Sequence, residues 1–222
     1  MPVQLHGRVG MIALAVGAYA TSVTPGVASS PWRQFDTHGA AALESAMAGP
    51  ARIRKCYQLC RAVLRNAAYY RGGASLSPAG RPKSQFAIVA SNNFLDIIFL
   101  EWSKLFWDRS GKHHLVKILP EPSRFMERVV GALAMDACEF EALAKSVAHY
   151  RDKELAHADV YETIDIPELK VIIESTVLLY ESLRSECGHE PTPVAPYDLR
   201  ATFQLEIDAG ALNFAALTKV PE

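Results

Sequence analysis

The sequence predicts an all-α fold, an antiparallel bundle of four to five helices, on three observations. Apolar residues recur at three- and four-residue steps through five separate stretches. Helix-start chemistry stands at the head of two of them, at Asp136–Glu139 and Asp165–Glu168. Half of the 222 residues are hydrophobic, enough for one domain with a real core and too many for a chain disordered throughout.

Residues 1–50 read as a poorly ordered leader. Val9 to Ala20 is an apolar run preceded by a single arginine, Arg8, and Ala18-Tyr19-Ala20 has the pattern of a signal-peptidase site. The run is too short to span a bilayer. Residues 21–50 are rich in Gly, Pro, Ser and Ala and have no periodicity. Met47 stands just before the first helix. Two readings stay open: translation that begins there in a cytoplasmic protein, or export after cleavage at Ala20.

The helical domain is expected over residues 51–187. Ile53, Tyr57, Cys60, Leu64, Ala67 and Ala68 line the first helix, which Gly72-Gly73 is expected to end. The second, Ser84 to Trp107, has Phe86, Val89, Leu95, Ile98, Phe99, Trp102, Leu105 and Phe106 over most of its circumference. Asn92, Asn93, Asp96 and Glu101 interrupt it, as in a central soluble helix and unlike a membrane span. Adjacent histidines come next in a loop, His113 and His114. Neighbouring side chains diverge, so both are expected to be solvated rather than metal ligands. The third helix runs from Pro122 or Ser123 to Leu133. In the fourth, begun by the Asp136/Glu139 capping box, Phe140, Leu143, Ala144, Val147, Arg151, Leu155 and Ala158 share a side. The fifth, with Leu169, Ile172, Ile173, Thr176, Leu179, Tyr180 and Leu183, is the cleanest amphipathic pattern. Residues 188–222 form a tail in which a helix over Tyr197–Leu217 is expected to break or end at Gly210.

The net charge of −1 argues against a generic nucleic-acid coat, but the charge is unevenly spread. Eight basic residues lie between Arg52 and Lys83, and no acid between Glu44 and Asp96. From Glu121 onward there are nineteen acids against nine bases. Helices complementing one another within the molecule, or a phosphate-binding face, would both produce this. The cysteines show no metal or disulfide pattern, and Cys56 and Cys60, four apart, read as core thiols in a reducing compartment.

Tyr150-Arg151-Asp152-Lys153-Glu154-Leu155-Ala156-His157-Ala158-Asp159 carries the candidate chemistry. Histidine titrates near working pH and suits proton transfer from a ribose 2′-hydroxyl. Arginine presents a fork that matches phosphate oxygens. Arginine and histidine recur at similar spacing at Arg33/His38, Arg109/His114 and Arg184/His189, so spacing alone selects nothing. Only Arg151/His157 lies inside a periodic helix with acids nearby. Six residues on a helix are about 9 Å of rise and roughly 120° of rotation. One chain therefore does not bring both to one phosphate, whereas two copies about a two-fold axis can. A purely structural alternative has Arg151 bridged to Asp96, Glu101 or Asp159, with His157 favoured by the helix dipole.

Arg151 to His157 resembles the R-x4–6-H motif of HEPN domains, small helical bundles of prokaryotic toxin and phage-defence systems. The wording Tyr-Arg-Asp-Lys-x3-His-x-Asp is most similar to the AbiU-like abortive-infection branch. So are the apolar second helix ending Lys104-Leu105-Phe106 and the loop with His113-His114. The resemblance covers residues 51–187. It implies a cytoplasmic homodimer directed at RNA, in some members a metal-independent ribonuclease needing no cofactor, with an antitoxin partner in toxin–antitoxin systems. By motif position the site residues are Arg151, His157 and Asp152. The tyrosine two residues after the histidine, a nucleotidylation target in some members, is replaced here by Asp159.

Overall fold

The computed structural model describes residues 49–75, 85–152, 166–186 and 198–218. The N-terminal segment 1–48, the proposed start at Met47, His157, Asp159 and the cap position Asp165 lie outside them. Among the described residues the fold is all α. The helices are α1 (Pro50–Ser75), α2 (Gln85–Phe106), α3 (Pro122–Leu133), α4 (Ala137–Tyr150), α5 (Leu169–Glu186) and α6 (Leu199–Thr218), with one 3₁₀ turn at Leu115–Lys117. That is one helix more than the four to five expected, because the tail contributes a full one. None is long and apolar enough to cross a membrane.

The core forms where α1, α2 and α5 meet. Trp102, Phe99, Phe125, Phe140 and Tyr180 are its largest fully buried side chains. Trp102 stacks on Phe106 at 4.8 Å between ring centres and donates from Nε1 to Ser175 Oγ at 3.0 Å. That bond satisfies the one polar atom the indole brings inside, so its apolar area is buried without an orphaned donor. Cys56 and Cys60 are buried and form no disulfide among the described residues. Burial, followed by neighbouring Cys56, pushes the Cys60 thiol well above its ordinary pKa, as expected of an unreactive core cysteine.

The start of α4 is as expected. Asp136 Oδ1 accepts from Glu139 N at 2.8 Å, and Glu139 Oε2 accepts from Asp136 N at 2.7 Å. This reciprocal cap satisfies two amides that a helix start leaves open. Chain reversal between α3 and α4 places Ala134 in the left-handed region, at φ 53°.

Two glycine expectations are overturned. α1 does not end at Gly72-Gly73 but runs to Ser75, and α6 passes through Gly210 without a break. These glycines mark the crossing of α1 and α6. A Cβ on Gly72 would lie 2.6 Å from the Ile207 carbonyl oxygen, and one on Gly210 would lie 3.1 Å from Tyr69 Cα. Side chains are absent there because two backbones touch, and tertiary contact outweighs the helix-breaking tendency of glycine.

α2 is not covered all round. Phe86, Val89, Ile97 and Leu100 are exposed, Phe86 by 63%. On an ideal helix the four lie within about 80° of one another. They form a single apolar stripe on the side turned from the core.

Candidate functional site at the end of the fourth helix

α4 ends in a π turn at Arg151 and Asp152. Such turns add a residue to the helical ladder and are frequent at functional sites. Tyr150, the last regular residue, turns inward. Its ring meets Phe99 at 4.6 Å and its hydroxyl donates to Asp96 Oδ1 at 3.1 Å. This anchor fixes where the next two side chains emerge.

Arg151 is half-buried, its side chain 27% exposed, and it pairs with Asp152, which is 64% exposed. Arg151 Nε and Nη2 reach Asp152 Oδ1 at 2.8 and 2.7 Å. The expected bridge to Asp96 or Glu101 does not form. Asp96 takes the Tyr150 hydroxyl, and Glu101 Oε1 takes Lys104 Nζ at 2.9 Å. Of the predicted residues the structure thus brings Arg151 and Asp152 together and gives Asp96 and Glu101 to other partners. The placement of His157 and Asp159 lies outside the described residues.

The loop after α2 is electrostatically linked to this corner through Asp108. Asp108 Oδ1 accepts from Ser110 Oγ at 2.7 Å and from Gly111 N at 3.1 Å. The Ser110 hydroxyl chiefly holds the Asp108 carboxyl below its usual pKa, with a contribution from the charge on Arg151. Asp108 therefore shares the electrostatic surroundings of Arg151, a neighbour that nothing in the spacing of the motif announces.

The two histidines part company. His113 is half-buried, but His114 is only 2% exposed, against the expectation of two solvated loop residues. His114 caps the 3₁₀ turn: its Nδ1 accepts from Val116 N at 3.3 Å, which places the ring proton on Nε2. Nε2 has no hydrogen-bond partner among the described residues. The Phe106 carbonyl lies near enough to favour the charged ring, yet burial dominates and lowers the His114 pKa to about 4. A cavity of about 30 Å³, close to the share of one water molecule, adjoins the ring between Trp107, Arg109, Met126 and Glu141. The missed signal is the apolar run Leu115-Val116 directly behind the pair, which pulls its second member inward.

A separate groove of about 520 Å³ lies between α3 and α5. Its cations are engaged: Arg124 with Glu121 at 3.1 Å, and Arg128 with Ser182 and Glu186 while lying over the Phe125 ring. No group of three or more His, Cys, Asp or Glu side chains among the described residues could hold a metal ion. No family model, no curated protein and no solved structure matches this chain.

Proposed function

We propose that this is a HEPN-type, RNA-directed protein of a phage-defence or toxin–antitoxin system, acting as a metal-independent endoribonuclease across a dimer interface. The observation that carries the reading is the pairing of Arg151. Its guanidinium is held by an exposed neighbour within the motif rather than by an acid of the core. A phosphate can displace that neighbour without leaving a buried charge unpaired, which a core bridge would not permit.

In this scheme His157 removes the 2′-hydroxyl proton and the 2′-oxygen attacks phosphorus. The bond to the 5′-oxygen breaks, and that oxygen takes a proton from the second protomer's copy of the histidine. Arg151 holds the charge growing on the phosphoryl oxygens, and Asp152 orients Arg151 until the phosphate takes its place. The products are a 2′,3′-cyclic phosphate and a 5′-hydroxyl. The whole chain incubated with single-stranded RNA in EDTA is expected to cleave, while Arg151→Ala and His157→Ala keep their helical circular dichroism and do not. Equal cleavage by all three proteins would sink these roles.

The α2 stripe favours a second reading, a non-catalytic helical dimerisation or scaffolding module. Four large apolar side chains on one exposed side suit contact with another protein surface. Under this reading the wild type is a dimer that leaves RNA intact, and Ile97→Glu with Leu100→Glu makes it monomeric without loss of helicity. Sedimentation velocity decides: a double variant that stays dimeric removes the stripe as the interface. A monomeric wild type removes the two-fold ribonuclease site as well.

A further inference from the structure

Three separate pieces of chain bring cations to one end of the bundle. The first turns of α1 supply Arg52 and Lys55, the last turn of α2 supplies Lys104, and the loop after it supplies Lys112 and His113. Burial first, then the charges of Lys112, Lys55, Arg52 and Lys104, hold His113 below its usual pKa. All four charges therefore bear on its ring. The loop is tied down from within, because Cys56 Sγ donates to the His113 carbonyl oxygen at 3.7 Å.

Among the described residues one carboxylate answers this charge. Glu101 takes Lys104 at 2.9 Å. Arg52, Lys55 and Lys112 form no ion pair among the described residues, and the first turn of α1 contains no acid. Five arginines elsewhere are answered, Arg65 by Glu206, Arg124 by Glu121, Arg128 by Glu186, Arg151 by Asp152 and Arg200 by Glu174, whereas Arg54, Arg61, Lys145 and Lys170 also form no ion pair among the described residues but are not drawn together around one loop. Like charges gathered from 61 positions of sequence repel one another, and a net charge of −1 shows no general excess of cations to account for the gathering. The positive end of the α1 dipole adds to the same field. Among the described residues the cluster contains no exposed aromatic on which a base would stack, and its lysines are point charges on flexible stems.

We infer that this face binds the contiguous phosphates of a single RNA strand, through its backbone and without reading its bases. The inference rests on the RNA-directed reading above and gives that reading a docking surface. The loop that presents Lys112 and His113 also carries Asp108, whose carboxyl feels the charge of Arg151, so the same loop couples the cluster electrostatically to the candidate site.

The test uses the whole chain and a fluorescein-labelled oligouridylate, followed by anisotropy over a range of salt. Lys55→Gln with Lys112→Gln should weaken binding about tenfold and reduce the slope of log affinity against log salt by about 1.4, the loss of two phosphate contacts on a single strand. Lys145→Gln, at an exposed position on α4, serves as the control and should leave both nearly unchanged. Inorganic polyphosphate should displace the strand, and orthophosphate at the same phosphate concentration should not. A slope and affinity equal to those of the control overturn the cluster and leave the catalytic reading standing. Displacement by orthophosphate overturns the strand assignment. Tight, cluster-dependent binding by a wild type that never cleaves sinks the catalytic reading and leaves the cluster.

Discussion

Gly72→Ala is expected to destabilise the protein by about 2 kcal/mol, a fall of roughly 5 °C in Tm. The sign runs against intrinsic preference, since alanine in a helix interior is favoured over glycine by about 1 kcal/mol. Space decides it. The new Cβ would stand 2.6 Å from the Ile207 oxygen, 2.7 Å from Ala211 N and 2.9 Å from the Gly210 carbonyl carbon. All three are backbone atoms of α6, so no side chain can swing aside and the whole helix must move off α1. Moving it strains the Arg65–Glu206 pair at 3.2 Å and the Phe214 ring seated on Gly73. Gly131→Ala is the comparison. It lies in the exposed last turn of α3, with nothing within 4 Å of the added atom, and should stabilise by about 0.5–1 kcal/mol. Urea unfolding of the three proteins separates the cases. If both alanines shift the midpoint the same way, the close crossing of α1 and α6 is wrong.

That crossing also marks where sequence and structure part. Period and the Asp136/Glu139 box located the bodies of α1 to α5, because amphipathic spacing and caps are local properties, while α6 was expected only as a tail helix broken at Gly210. Glycine is ambiguous locally: Gly72 and Gly210 serve equally as breakers or as contact points, and only the partner helix decides. The same holds for His114, whose burial depends on residues of α3 and α4 that lie 12 to 30 positions further along the sequence. Arg151 was legible as half-buried from its place among Val147 and Leu143. Its partner was not, since three acids were in reach by pattern and the chosen one is the adjacent residue. The cation cluster was legible only as an excess of basic residues in the first half. That the first turns of α1 meet the loop carrying Lys112 and His113 is a consequence of α1 and α2 packing side by side, with Cys56 Sγ bonded to the His113 carbonyl.

The second large effect is on acid stability. An unfolded His114 takes a proton near its ordinary pKa of 6.5, whereas the folded protein resists protonation until about 4. A folded pKa below the unfolded one means that the imidazole favours folding above pH 6.5. That contribution is lost as pH falls from 6.5 toward 4, and nothing further is lost below. The gap corresponds to roughly 3 kcal/mol, most of it gone by pH 4.5. Burial is the leading cause: a protonated ring would place a charge among Trp107, Met126 and Phe140, where Arg109 and Lys117 repel it and Asp108 offsets this only in part. His114→Asn isolates the effect. Asparagine keeps an acceptor for Val116 N at the cap but has nothing to titrate. The variant is less stable at pH 7.5, because a smaller side chain leaves space beside the existing cavity. Its loss between pH 7.5 and pH 4.5 should nevertheless be smaller than that of the wild type by about 2 kcal/mol, measured by urea unfolding at constant ionic strength. The solvent-exposed ion pairs are common to both proteins and cancel in the difference. Parallel pH profiles would mean that the ring is charged in the folded protein, and that the loop beside Arg151 is held by something other than a neutral, buried histidine.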